Sequence, residues 1–141
     1  MARVALDTNV LGYAAGIRKD DADDRKVDLA EALIAELQAE GPIVFPAQVL
    51  IELHFLLIRK GRRSRAEAAV IVGEYVRGNH VAATTAAVIA DALALSAGHG
   101  LQTFDAVILS AAAQARCDVL YSEDMQNGLE LAGVTVINPF G

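Results

Sequence analysis

Tryptophan is absent from this chain and cysteine occurs once, at Cys117. A lone cysteine excludes an intramolecular disulfide, and its position between helix-like and strand-like sequence marks it as a small core residue rather than a nucleophile. Aromatics make up only 5% of the residues although 54% are hydrophobic, so the core must be built from Ala, Val, Ile and Leu. No apolar run approaches the ~18 uninterrupted residues of a membrane span. The N-terminus enters strand-like sequence directly, without a signal-peptide pattern, so a soluble, cytoplasmic protein is expected. At 141 residues there is room for one core, and 1–141 is read as a single domain. The net charge of −6 argues against a non-specific nucleic-acid coat. It does not argue against a nuclease, because an acidic metal cluster carries negative charge of its own and a local basic patch can still hold phosphates.

What the chain does contain is an alternation of short apolar runs and longer helical stretches. Val4-Ala5-Leu6 is strand-like and ends abruptly at Asp7-Thr8-Asn9. Asp7 or Thr8 can cap the helix-compatible sequence that follows, which ends near Gly16. The acidic run Lys19 to Lys26 lacks the Gly-turned spacing of a calcium loop and reads as a solvated loop with an Asp cap. A helix over Arg25 to Glu40 shows an apolar face of Leu29, Leu33, Ile34 and Leu37, and Gly41-Pro42 stops it. Ile43-Val44-Phe45 is a buried strand. The helix Ala47 to Lys60 is almost continuously apolar from Val49 to Ile58, interrupted by Glu52 and His54.

Arg59 to Arg65 concentrates five of the twelve basic residues at a helix–helix connection. It reads either as a solvated loop or as a phosphate-binding edge through Arg62, Arg63 and Arg65. A helix over Ser64 to Val76, a short Val81–Ala83 strand and a helix capped at Thr84 or Thr85 come next. Thr103 is read as the cap of the helix Phe104 to Ala115, which places Asp105 in its first turn. Val119 to Ser122 is a strand running into Glu123-Asp124, Leu129 to Leu131 a short helical piece, and Val134 to Ile137 the last strand.

About five short strands separated by helical crossovers imply an α/β fold: a mostly parallel sheet with helices on both faces. Right-handed crossovers put every strand-to-helix junction on one edge, where ligands bind in open α/β sheets. Asp7, Glu52, Asp105 and Asp124 all fall on that edge. Each has a plain structural role when taken alone, as a cap, a dipole partner or a stripe-edge carboxylate. Scattered capping does not explain a shared rim. Clustered carboxylates repel one another and are stable chiefly around cations; oxygen ligands without His or Cys select Mg²⁺ or Mn²⁺ over zinc. Such ions activate water and stabilise in-line phosphoryl displacement, with Thr8, Asn9 and Ser122 as orienting neighbours.

Leu6-Asp7-Thr8-Asn9-Val10-Leu11, Glu52 within a mid-chain helix, Thr103-Phe104-Asp105-Ala106 and Ser122-Glu123-Asp124 together resemble the PIN-domain ribonucleases. Among them, the chain is most similar to the VapC-type toxins of bacterial toxin–antitoxin pairs. The resemblance implies a metal-dependent endoribonuclease with a PIN-like three-layer fold, an RNA substrate, a homodimer and a small antitoxin whose tail covers the site. Asp7, Glu52, Asp105 and Asp124 would be its acids, with Thr8 and Ser122 as supporting hydroxyls, and Glu123 competes with Asp124 for the fourth place. An aspartyl-phosphate phosphatase would want a second Asp where Asn9 stands, and a receiver module a late Lys, yet no lysine lies beyond Lys60. A non-catalytic RNA-binding PIN domain is the other alternative, against which the presence of all four acids weighs. The apolar excess also points to an oligomer or a tightly bound partner.

Overall fold

Strands of two to four residues, nearly all apolar, form the centre of this protein, and the computed structural model describes residues 2–141. In chain order the elements are β1 (Val4–Leu6), α1 (Thr8–Ala14), a 3-10 turn at Asp21–Asp23, α2 (Asp24–Glu40), β2 (Val44–Pro46), α3 (Ala47–Arg59) and α4 (Arg65–Val76). Then follow β3 (His80–Ala82), α5 (Ala86–His99), α6 (Thr103–Gln114), β4 (Val119–Tyr121), β5 (Glu130–Leu131) and β6 (Val134–Ile137). The sheet order is β3-β2-β1-β4-β6-β5. All neighbours pair in parallel except β5, which runs antiparallel to β6. Among the described residues, no helix is long and apolar enough to cross a membrane.

That order decides where a ligand can sit. From β1 the chain moves outward through β2 to β3, then returns past β1 to β4 and continues to β6. With right-handed crossovers, the connections on the two sides of β1 cover opposite faces of the sheet. The strand order reverses at the β1–β4 pair, and there the carboxyl ends of neighbouring strands open a crevice. The register Leu6↔Tyr121 brings Asp7 beside Ser122, and the Asp7 amide donates to the Tyr121 carbonyl at 2.9 Å. Leu6, Leu11, Phe45, Leu53, Leu57, Ile108, Leu109 and Leu120 are fully buried around the sheet. Phe45 is the sole aromatic among the largest of these buried side chains, in keeping with an aliphatic core.

The sheet has six strands rather than about five, and the difference lies at Leu129 to Leu131. The sequence suggests a helical piece there, but Glu130–Leu131 is β5, hydrogen-bonded to β6 across a two-residue turn. Ala132 and Gly133 both have positive φ, 53° and 81°, the left-handed pair a type I′ hairpin requires. A three-residue segment cannot meet the nucleation cost of a helix alone, whereas one strand edge supplies its hydrogen bonds immediately. A second correction concerns α6. Its cap is Gln102 rather than Thr103: Gln102 Oε1 accepts from the amides of Phe104 and Asp105 at 2.9 and 3.0 Å.

Candidate active site

Asp7 begins where β1 ends, and it is a helix cap. Its Oδ1 accepts the Thr8 amide at 2.7 Å, opening α1. Its Oδ2 accepts the Ser122 hydroxyl at 2.7 Å, which ties the end of β1 to the end of β4. Asp7 is only 3% exposed. Burial raises its pKa from 3.8 to about 6, against the opposing pull of the Ser122 and Thr8 hydrogen bonds, and the charges of Asp105 and Asp124 push it further the same way. Capping does not use up this carboxylate; it aims it.

Asp105 lies in the first turn of α6. Because Gln102 does the capping, the Asp105 carboxylate accepts no hydrogen bond among the described residues. Burial raises its pKa, and the charges of Asp124 and Glu52 raise it further. Glu52 reaches the rim from the second turn of α3. Its Oε1 accepts the Thr8 hydroxyl at 3.2 Å and its Oε2 accepts the Gln48 amide at 3.0 Å. Gln48 stands one turn before Glu52, and only the structure shows that it holds the carboxylate.

Glu123 and Asp124 differ in what each side chain touches. Glu123 accepts the Tyr13 hydroxyl at 3.2 Å, and its Oε2 lies 3.0 Å from Lys26 Nζ. The Lys26 approach is a charge contact without hydrogen-bond alignment, since that oxygen has no hydrogen-bond partner. Glu123 is thus held between α1 and α2. Asp124 is exposed, its carboxylate accepts no hydrogen bond among the described residues, and its charge acts on both Asp7 and Asp105. The loop carrying it is folded by Ser122, whose Oγ accepts the amides of Asp124 and Met125 at 3.2 and 3.3 Å. Asn9 contributes too: its Oδ1 accepts the Glu123 amide at 3.1 Å, and its buried Nδ2 has no acceptor.

Asp7 and Asp105 thus each lie in the field of Asp124, Asp7 also in that of Asp105, and Asp105 also in that of Glu52; Asp7 and Glu52 are anchored by hydrogen bonds. Among the described residues, no three His, Cys, Asp or Glu side chains stand close enough to form a ready-made ion cage. The donor chemistry nevertheless fits a hard divalent cation, because every group is an oxygen and their mutual repulsion is what such a cation cancels. Asp105 and Asp124 have free oxygens to give it; Asp7 keeps lone pairs beyond its two hydrogen bonds.

The basic connection is divided by the structure. Arg62, with φ of 55°, lines a cavity of about 590 Å³ together with Arg59, Lys60 and Lys19. Asn9, Glu123 and Asp124 line the same cavity, so it reaches the rim at Asp124, while Asp7, Glu52 and Asp105 are not part of its wall. Arg63 and Arg65 are not part of its wall. Of the three arginines expected at a phosphate-binding edge, only Arg62 lines this cavity, and Arg59 and Lys60 line it instead of Arg63 and Arg65. No periodicity separates them; the left-handed backbone at Arg62 does.

The fold and sequence have known counterparts. Three of the solved structures that match cover most of the chain. VapC20 of Mycobacterium tuberculosis, a sarcin-ricin loop cleaving toxin, superposes with a TM-score of 0.64 at 20% identity, covering 86% of this chain and 91% of that one. A toxin–antitoxin complex from Klebsiella pneumoniae gives a TM-score of 0.68 at 16% identity over 96% and 97%. VapBC2 of Rickettsia felis, bound to a DNA fragment from its promoter, gives 0.66 at 14% over 94% and 96%. At such identities these likenesses concern the fold. No curated protein sequence matches. The PIN domain family model matches residues 4–127, a span running from the first residue of β1 past Asp124 and taking in all four acids. By that match, and with a sheet whose switch point gathers those acids, this chain belongs to the PIN domain family.

Proposed function

We propose that the chain, with 1–141 acting as one domain, is a Mg²⁺- or Mn²⁺-dependent endoribonuclease. We further propose that it is the cytoplasmic toxin of a type II toxin–antitoxin pair, working as a homodimer and restrained by a small antitoxin. The observation that carries the nuclease reading is the buried, doubly anchored Asp7, which feels the charges of Asp105 and Asp124 across the β1–β4 crevice. The toxin reading draws on the solved structures of similar fold, which are toxins or toxin–antitoxin complexes.

Asp7, Glu52, Asp105 and Asp124 would hold the metal. A bound divalent ion supplies an activated water and neutralises charge building on the phosphate during in-line displacement. The protein's own part is positioning. Ser122 fixes Asp7 and, through the same oxygen, the turn that presents Asp124. Thr8 links the β1 end to Glu52, which Gln48 steadies from behind. Asn9 holds the Glu123 backbone, keeping Asp124 at the rim. An aspartyl-phosphate phosphatase is less well served, because Asn9 stands where it would want a second Asp, and its Oδ1 is taken by the Glu123 amide.

The test is cleavage of RNA by the purified protein with Mg²⁺ or Mn²⁺ and in EDTA. Cleavage is expected only with metal, and Asp7→Asn and Asp105→Asn should each lower its rate at least 100-fold, as for loss of a metal ligand. Full activity in both variants would sink the proposal. Binding of RNA with no cleavage under any metal would favour a non-catalytic PIN domain.

A further inference from the structure

Cations and carboxylates line one open hollow in this protein, the cations exposed to solvent along its wall. Among the described residues, the ion pairs engage Arg18 with Asp21 and Asp24, and Lys26 with Glu123. Lys19, Arg59, Lys60 and Arg62 have no such partner, and all four line the cavity that reaches Asp124. Arg59 is steadied from outside by the exposed Phe55 ring, 5.5 Å from its guanidinium carbon. In a chain of net charge −6, unpaired cations gathered at the mouth of an acidic site form a local positive field next to a negative one.

Gly12 supplies an independent observation. It lies inside α1, where glycine costs helix stability relative to alanine. Its φ is not in the positive region, so backbone conformation does not require it. A Cβ there would meet no atom within 4 Å, so packing does not require it either. Gly12 does line the cavity, and any side chain at that position would stand in it. The missing side chain keeps the hollow open.

We infer that this cavity is the subsite for the RNA nucleotide flanking the cleaved bond, with Arg59, Lys60 and Arg62 holding its phosphate and the bare face at Gly12 leaving room for it. The inference rests on the nuclease reading and adds where the strand runs: away from the acids, over Asp124 and into the groove between α1 and the end of α3. It also separates residues that adjoin in sequence. Arg63 and Arg65 take no part.

The experiment measures binding of a single-stranded RNA oligomer, across a salt series, to protein carrying Asp105→Asn so that cleavage does not interfere. Three further changes are compared on that background. The triple Arg59→Ala, Lys60→Ala, Arg62→Ala should weaken binding and lower the magnitude of the salt slope by about 0.7, the contribution of one neutralised phosphate on a single strand. The pair Arg63→Ala, Arg65→Ala, which also removes positive charge from this connection, should leave the slope unchanged. Gly12→Leu adds bulk without charge and should weaken binding at least tenfold; Gly12→Ala, the milder filling, guards against misfolding and should raise the thermal midpoint while weakening binding less. An unchanged slope in the triple, or an equal fall in the Arg63/Arg65 pair, overturns the subsite. So does a groove whose variants lose binding only to a protein tail and not to RNA. If the Asp105→Asn parent binds no RNA and the unmodified protein cleaves none, the nuclease reading itself fails.

Discussion

Asp7 carries the sharpest consequence of placing a carboxylate at a strand end. Its folded pKa of about 6 lies above the ordinary value of 3.8, so between those pH values the native protein holds a proton that the unfolded chain has released. The stability this contributes is complete below about pH 3.8 and is lost as pH rises through about 6. Above that, the ionised group is a standing destabilisation of up to about 3 kcal/mol at ~1.4 kcal/mol per pKa unit. Asn is also a good helix cap and keeps an oxygen for Thr8. Urea unfolding in EDTA should therefore find Asp7→Asn more stable than the parent at pH 7, with the gap closing towards pH 4. A variant less stable at pH 7 would mean that the Asp7 charge supports the fold. Added Mg²⁺ should stabilise the parent more than the variant, because only the parent keeps the full oxygen set. Cys117 shows the bland outcome of burial. Its thiol is pushed up to about 11, mainly by burial, and alkylation at pH 8 should be slow until the protein unfolds.

Local chemistry sets the helix and hairpin ends, and two of them make quantitative tests. Ser64 and Glu67 form a reciprocal cap at the start of α4, with Ser64 Oγ accepting the Glu67 amide and Glu67 Oε1 accepting the Ser64 amide, both at 3.0 Å. Ser64→Ala should cost about 1 kcal/mol in denaturant unfolding and leave cleavage unchanged. The β5–β6 turn is the reverse case. Ala132 occupies a left-handed conformation that an alanine adopts at a cost of about 1–2 kcal/mol. Ala132→Asn creates the Asn-Gly pair favoured in such turns and should recover part of that, raising the thermal midpoint. That strain also explains why the hairpin was hard to read: Ala-Gly is a weak turn signal.

Over the whole molecule, the apolar excess foreseen from composition surfaces at particular helices. Ile51 and Phe55 on α3, Val70 on α4 and Leu93 on α5 are 69%, 59%, 62% and 61% exposed. The α3 pair flanks Glu52, so a homodimer formed there would bury apolar surface beside the acidic rim. Light scattering should give twice the monomer mass, and Ile51→Glu with Phe55→Glu should halve it. A monomer at every concentration would contradict the dimer. The antitoxin proposed above is expected to insert an Arg among the acids, relieving their repulsion as a metal does. Inhibition that survives removal of every basic residue from its tail would exclude that mode.

The amino-acid sequence by itself determined the α/β class, the order of elements as far as β4 and the strand-end positions of Asp7 and Asp124, because apolar periodicity and capping residues are local properties. It also marked Glu52 as anomalous, since a carboxylate inside an apolar stripe needs a reason. Only the tertiary structure decided which ambiguous groups act together. Glu123 and Asp124 are neighbours in sequence, but Lys26 and Tyr13 arrive from α2 and α1 to engage the first and leave the second free. Gln102 relieves Asp105 of capping, and the backbone turn at Arg62 puts one arginine in the cavity and the next outside it. These outcomes depend on contacts between distant segments and on backbone direction at single residues. Neither is encoded in a local pattern, and both exist only once the sheet has set the register between β1 and β4.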